Sequence, residues 1–283
     1  RPRRRPDGEL LRGVLILLFV ALLGGAAHAQ APASKFVTVS DGMRIHYLEA
    51  GAGTPVILLH GSTGTAQSNY VTTGIVQALA ANHRVLALDF RGQGRSDRPA
   101  TPKRYASDRF PQDVLEIMDQ LGIEKAHLAG YSMGGEMMAP LLALAPERII
   151  TATFGGSGLL EPDRRADAAA LAQDPKGRDR DPPPLARRLW VERNLDALRA
   201  MEQGRREHPP TNPPIDPRRA RFPILAIVGE YDTPTRFTAL MARSLPDFRL
   251  VVLKGRDHAT ALADPGYKDA LVEFINAHDP RDP

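Results

Sequence analysis

Cysteine is missing from the chain altogether. Disulfide frameworks, thiol nucleophiles and cysteine-ligated metals are thereby excluded, and the redox compartment stays open. Aromatic residues make up only 6%, with one tryptophan. The longest apolar run, Val14 to Leu23, holds ten residues, well short of the roughly 20 that carry a helix across a bilayer. There is no G-x-x-x-x-G-K-[ST] phosphate loop, no dinucleotide fingerprint after the first strand and no histidine-based metal spacing, so no cofactor and no metal is implied. An excess of one charge is lacking too. Lys and Arg number 37 against 33 Asp and Glu, and five of the arginines (1, 3, 4, 5 and 12) lie in residues 1–13 beside Asp7 and Glu9. Beyond that stretch the balance is 32 basic to 31 acidic, which leaves no electrostatic footprint for nucleic acid. What remains is globular: 283 residues, 42% apolar and 25% charged, enough for one α/β domain with an insertion and a large core.

Residues 1–29 read as an address. A basic stretch, the apolar run and Ala27-His28-Ala29 before Gln30 follow the order of a secretory signal with its cleavage site. The expectation is a periplasmic or secreted protein without stable membrane association after cleavage; the alternative is an uncut N-terminal anchor. The arginines near the start hint at a twin-arginine signal, but the Pro-Asp that follows fits it poorly. The folded domain is then 30–283.

Short β-branched apolar runs alternate with helical patterns. Phe36–Ser40 and Met43–Glu49 flank Asp41-Gly42, a two-residue hairpin signal. Val56–Leu59, Val85–Leu88, Ala126–Ala129, Ile149–Phe154, Ile224–Val228 and Leu250–Leu253 are continuous apolar runs, as strands buried on both faces require. Val114, Leu115, Ile117, Met118 and Leu121 recur at helical spacing, as do Met137, Met138, Leu141, Leu142 and Leu144, and Leu271, Phe274 and Ile275 mark a last helix. The expected fold class is α/β: a mostly parallel eight-stranded sheet with helices on both faces. Residues 161–221 break the rhythm with 14 basic, 11 acidic and ten proline residues. Only Leu185–Met201 there is helical in pattern. A lid or cap insertion over about 159–221 is expected, with Trp190 as a packing anchor, against the plainer reading of a solvated excursion.

The sharpest chemical signal is Gly130-Tyr131-Ser132-Met133-Gly134, placed between a strand and a helix as a nucleophile elbow requires. A tight turn strains the central residue, excludes side chains two positions to either side and pushes the serine out at the carboxyl end of the sheet. The Met133 N–H then starts a helix, where a developing oxyanion would be stabilised.

With this motif in place, residues 36–278 resemble the α/β-hydrolase fold superfamily. Leu58-Leu59-His60-Gly61-Ser62 is similar to that family's His-Gly turn, Asp89 to Asp97 to its loop after the fourth strand, Gly229-Glu230-Tyr231-Asp232 to its acid turn and Gly255-Arg256-Asp257-His258 to its histidine loop. The family order of nucleophile, acid and histidine implies Ser132, Asp232 and His258, and the resemblance assigns the second oxyanion donor to the Ser62 N–H. The chemistry asks for this set: an imidazole takes the hydroxyl proton and a carboxylate fixes its tautomer. Among the other histidines, His46 and His127 fall in strands with structural roles, His60 packs beside the oxyanion turn, and His83 and His208 sit in loops. His28 lies in the address segment and His278 at the C-terminus. Rivals for the acid are Glu161, Asp163, Glu230 and Asp257. Asp89–Asp97 reads as a loop-supporting network, and Met133, Met137 and Met138 as core.

The resemblance implies a serine hydrolase, esterase- or lactonase-like, acting on a small acyl substrate through an acyl-enzyme. Amidase or aminopeptidase-like cleavage (an amide or an N-terminal Pro peptide), C–C bond hydrolysis and peracid formation on the same residues are alternatives, since fold does not give substrate. A serine at position 132 argues against dehalogenase and epoxide hydrolase chemistry, which would place Asp there. A non-catalytic binding protein would be expected to have lost one of the three residues, and a lid-gated lipase to carry a less charged insertion.

Overall fold

The computed structural model describes residues 31–158, 194–209, 220–232, 238, 241–243 and 245–280. Eight strands form one sheet in the order β1-β2-β4-β3-β5-β6-β7-β8. They are β1 (Ala33–Thr38), β2 (Arg44–Ala50), β3 (Thr54–Leu59), β4 (His83–Leu88), β5 (Ala126–Tyr131), β6 (Ile149–Gly155), β7 (Ile224–Gly229) and β8 (Phe248–Leu253). β1 and β2 pair antiparallel, β2 meets β4 antiparallel, and every later pair is parallel. The expected architecture is the observed one.

The apolar runs explain the layering. Side chains alternate along a strand, and along β3 Val56 and Leu58 enter one apolar layer while Ile57 and Leu59 enter the other. All four are fully buried, and each contributes about 1.5–3 kcal/mol. On one face α2 (Arg109–Gln120) and α3 (Met133–Leu144) supply Val114, Ile117, Met138 and Leu141; on the other α1 (Ile75–Leu79) and α5 (Pro265–Ala277) supply Ile75, Leu79, Leu271 and Phe274. Met133, Met137 and Met138 are core, as expected.

β3 pairs with β4 on one side and β5 on the other. The chain therefore leaves this pair of neighbouring strands, β3 and β5, in opposite directions, which opens a crevice at their carboxyl ends. The loops after β3 and β5, with Gly61-Ser62 and Ser132, face that crevice.

Two local expectations need correction. The β1–β2 connection is a three-residue loop, Ser40-Asp41-Gly42, and not a two-residue turn. The Gly42 N–H donates to the Val39 carbonyl (2.8 Å), the Val39 N–H to the Met43 carbonyl (2.9 Å), and Gly42 takes φ +83°, the three-residue hairpin with a left-handed third residue. His83 is not in a loop: it opens β4, fully buried, with Nε2 2.8 Å from Asn276 Oδ1. The polar triplet Asn82-His83-Arg84 hides a strand start that α5 covers.

Part of the insertion is described. α4 (Leu195–Glu207) continues the helical pattern beyond Met201. It lies against the turn Pro102–Tyr105: a Cβ on Gly204 would stand 2.1 Å from the Pro102 carbonyl oxygen. The Ser107 N–H donates to the His208 carbonyl at 2.9 Å. Ala200, Met201 and Gly204 of this stretch are buried against the body of the domain. The address segment 1–29 and the insertion residues 159–193 and 210–219, with Trp190, Glu161 and Asp163, lie outside the described residues.

Candidate active site

β5 ends at Tyr131 and α3 begins at Met133, so Ser132 alone makes the turn. It adopts φ 53° and ψ −117° and is, among the described residues, the one non-glycine with positive φ. Such a conformation costs about 1–3 kcal/mol and persists only where the surroundings enforce it. They do so here. The Ser132 N–H donates to the Gly155 carbonyl at 2.7 Å. A Cβ on Gly130 would stand 2.4 Å from the Gly134 carbonyl carbon, one on Gly134 2.0 Å from the Leu59 oxygen, and one on Gly135 1.9 Å from Ser157 Oγ. The glycines of the motif thus let β3, β5 and α3 close on one another.

Ser132, Asp232 and His258 meet, from three separate parts of the chain. Ser132 Oγ lies 2.9 Å from His258 Nε2, and His258 Nδ1 lies 3.0 and 2.9 Å from the two oxygens of Asp232. Asp232 is buried, whereas the His258 side chain keeps 33% of its surface exposed, so a substrate has an approach to the imidazole and the hydroxyl. The acid turn and the histidine loop are stitched together. The Tyr231 N–H donates to the Arg256 carbonyl (2.9 Å) and the Gly255 N–H to Glu230 Oε2 (2.8 Å). Glu230 is thereby occupied as a brace. Asp257 accepts the Ala259 and Thr260 N–H groups at 2.9 Å each and holds its own turn.

Two residues not singled out from the sequence hold this pair. The Tyr131 hydroxyl donates to the His258 carbonyl at 2.5 Å and its ring lies against the imidazole, centroids 5.5 Å apart. Burial pushes the phenol well above its ordinary pKa, so it stays a donor. Gly156, at φ +53°, passes so close that a Cβ would stand 3.1 Å from Asp232 Oδ2 and 3.1 Å from His258 Nδ1. The signal available was the Gly155-Gly156 doublet directly after an apolar strand.

The oxyanion side has two parts. Met133 opens α3, so its N–H belongs to the unpaired donors of a helix N-terminus. The His60-Gly61 turn runs beside the nucleophile, a Cβ on Gly61 falling 3.5 Å from Ser132 Cβ, and Ser62 follows it on the exposed side. Asn69 Oδ1 accepts the Gly61 N–H at 2.9 Å. His60 stands below with Nδ1 2.7 Å from the Gly61 carbonyl and Nε2 accepting the Phe90 N–H at 3.1 Å. One donor and one acceptor nitrogen make it the neutral tautomer, in keeping with burial that lowers its pKa. The packing role read for it is the observed one.

Asp89–Asp97 is the network expected. Burial alone would raise the Asp89 carboxyl, but the His46 imidazole, the nearby His60 and the N–H groups of Ala66 and Arg95 hold it below its ordinary value. Arg91, fully buried, pairs with both oxygens of Asp113 at 2.5 and 2.6 Å and with Asp41 at 3.0 Å.

A hydroxyl facing an imidazole nitrogen, with a buried carboxylate on the far nitrogen, is the arrangement that makes serine a nucleophile. Comparison with known proteins bears on the scaffold. A sequence profile of the α/β hydrolase fold matches residues 54–189. The dihydrolipoyllysine-residue acetyltransferase component of the acetoin cleaving system of Pseudomonas putida is 41% identical over 128 residues, 44% of this chain and 33% of that protein. The chain spans 40% of a putative 2-succinyl-6-hydroxy-2,4-cyclohexadiene-1-carboxylate synthase of Bacillus subtilis, at 37% identity over 40% of its own length. A putative carbamate hydrolase of Azorhizobium caulinodans is 28% identical over 260 residues, 83% of this chain and 96% of that one. Among solved structures, a bacterial membrane phospholipase A superposes with TM-score 0.72 at 21% identity, over 98% of this chain and 100% of that one. The sheet order, the elbow and these matches together show that the chain has the α/β-hydrolase fold.

Proposed function

We propose that this protein is an exported serine hydrolase that cleaves a small carboxylic ester or lactone through an acyl-enzyme. The observation that carries the reading is the continuous hydrogen-bond path from Ser132 Oγ through His258 to buried Asp232, on a turn whose strain is enforced from all sides. Ser132 Oγ attacks the acyl carbon while His258 Nε2 takes its proton. Asp232 holds the tautomer and stabilises the imidazolium. The Met133 and Ser62 N–H groups hold the carbonyl oxygen as it gains charge. Collapse expels the alcohol, protonated by His258, and water enters by the same route in reverse to release the acid. No step asks for a cofactor. Export rests on the segment 1–29, removed before Gln30, and a periplasmic or secreted location follows from it. For the insertion at about 159–221 a lid role is part of this proposal; its described arm, α4, is seated on the turn Pro102–Tyr105.

One second reading has a specific support. The carbamate hydrolase match runs over nearly the whole of both chains, so a carbamate or amide belongs in the substrate panel. The test is a p-nitrophenyl acyl-ester series from acetate to palmitate, run beside lactones, amides and carbamates, with wild type and Ser132→Ala. Ester or lactone turnover that falls off with acyl length and disappears in Ser132→Ala is expected. Turnover confined to carbamates or amides would replace the ester reading, and turnover that survives Ser132→Ala would overturn both.

A further inference from the structure

The hydrogen-bond pattern of the elbow occurs a second time, at the edge of the sheet that β1 forms. Ser34 lies exposed on β1, the sheet's outermost strand, with its Oγ 2.8 Å from His46 Nε2; His46 Nδ1 is 2.7 Å from Asp89 Oδ2. His46 and Asp89 are each 2% exposed. The carboxylate is held in place by the Ala66 N–H (2.7 Å) and the Arg95 N–H (2.9 Å). With Asp89 ionised, Nδ1 carries the proton and Nε2 accepts the Ser34 hydroxyl, the tautomer a general base requires. A guanidinium completes the site: Arg95 Nη1 donates to Ser34 Oγ at 2.6 Å. Its carbon sits 5.7 Å from the centroid of Phe36, two residues on and on the same strand face, and that ring packs against His46 at 5.0 Å. Phe36 is itself 40% exposed.

We propose that Ser34 is a second activated serine, a site of stoichiometric acylation by aryl esters. Ser34 Oγ bonds to the acyl carbon, the bond from that carbon to the aryl oxygen breaks, and the aryl oxide leaves with the electron pair. The serine proton passes to His46 Nε2 and from there to solvent. Arg95 stands where negative charge gathers, and the exposed edge of Phe36 offers a surface to the aryl ring. The surroundings of Ser34 differ from those of Ser132 at the second half of a catalytic cycle. Ser34 sits in an extended strand, with no helix N-terminus at its oxygen and no strained turn to aim it. Acylation by an aryl ester proceeds because the aryl oxide is a good leaving group; deacylation must expel the serine alkoxide, a much poorer one, without the elbow's oxyanion donors, so the acyl-serine persists.

Ser40 supplies an internal control. It is exposed on the same hairpin, but its hydroxyl bonds directly to Glu116 at 2.8 Å, with no imidazole. The experiment treats the full chain carrying Ser132→Ala with p-nitrophenyl acetate and follows acetyl adducts by intact mass and peptide mapping. A positioned base is worth about 10²-fold or more, so Ser34 should acetylate at least about 100-fold faster than Ser40, and Ser34→Ala should remove that adduct. Arg95→Met, a surface change that keeps the Arg95 backbone bond to Asp89, should slow it about tenfold. No adduct at Ser34, or one no faster than at Ser40, overturns the proposal, and an unchanged rate in Arg95→Met overturns the part given to the guanidinium. The outcome is separable from the reading of Ser132, which is absent from every variant used.

Discussion

Two Ser–His–Asp chains with nearly equal distances sit in this one molecule, and their settings share almost nothing. At the elbow, Ser132 to His258 is 2.9 Å and His258 to Asp232 is 2.9–3.0 Å; at the rim, Ser34 to His46 is 2.8 Å and His46 to Asp89 is 2.7 Å. The first serine is held at φ 53° between a buried strand and a helix N-terminus. The second lies on an extended edge strand beside an arginine. The first histidine is one-third exposed and the second is buried. A hydrogen-bond path supplies a base; it does not supply a place for the oxyanion, a route for water or a reason for the serine to point outward. Acylation and deacylation both pass through an oxyanion, so the rim serine, with only Arg95 beside it, reacts with esters whose leaving group is good, whereas turnover needs the backbone donors and the water route as well.

The comparison is broken most decisively at the nucleophiles. Ser132→Ala should lower kcat/KM for p-nitrophenyl acetate by at least about 10³-fold, since loss of a triad serine removes the acyl-enzyme. Ser34→Ala, a surface change away from the elbow, should leave steady-state hydrolysis within about twofold. Equal losses in the two would erase the distinction. The oxyanion donors come next. Ser62→Pro removes a backbone N–H and should cost about 10²–10³-fold in kcat, whereas Ser62→Ala keeps it and should retain most activity. A large loss in Ser62→Ala would move the donor to the side chain.

Gly156 sharpens the comparison, because each acid has a left-handed glycine against it: at the rim it is Gly94, at φ +52°, where a Cβ would stand 2.0 Å from Asp89 Cγ. Gly156→Ala sets a methyl 3.1 Å from both Asp232 and His258 at a positive φ. Displacing the pair should lower kcat by about 10–100-fold with KM little changed. A shift in KM alone, by steady-state kinetics, would instead place Gly156 on the substrate. The smallest effect concerns Asp89. Its folded-state pKa lies below the ordinary carboxylate value, so it contributes stability that is complete above about pH 4, the unfolded value, and is lost as pH falls through the lower folded value. Asp89→Asn should flatten that acid limb in urea titrations across pH and cost about 1–3 kcal/mol at neutral pH. A steeper acid limb in the variant would reverse the sign.

Much of this was legible in the residues. Val56–Leu59 is apolar at every position because β3 is covered on both faces, and that made a central parallel strand readable. The order of Ser132, Asp232 and His258 was readable because each ends a strand run at a family motif. The rest was hidden for physical reasons. The rim chain joins Ser34, His46 and Asp89 across two strands and a loop, and no spacing in the sequence announces a contact between β1 and the loop after β4. Gly156 was one glycine in a doublet, and only its approach to the acid–base pair gives it a role. His83 looked like a loop residue because the helix that buries it lies far along the chain.

The most direct test is rapid-quench peptide mapping of wild type during its first turnovers of p-nitrophenyl acetate. The expected result is an acetyl group on Ser132 that forms in a burst, reaches a steady level and decays when ester is exhausted, with any acetyl on Ser34 accumulating slowly and remaining. Rapid hydrolysis with no acetyl group at Ser132 at any time, or an acetyl group there that never turns over, would contradict the acyl-enzyme mechanism.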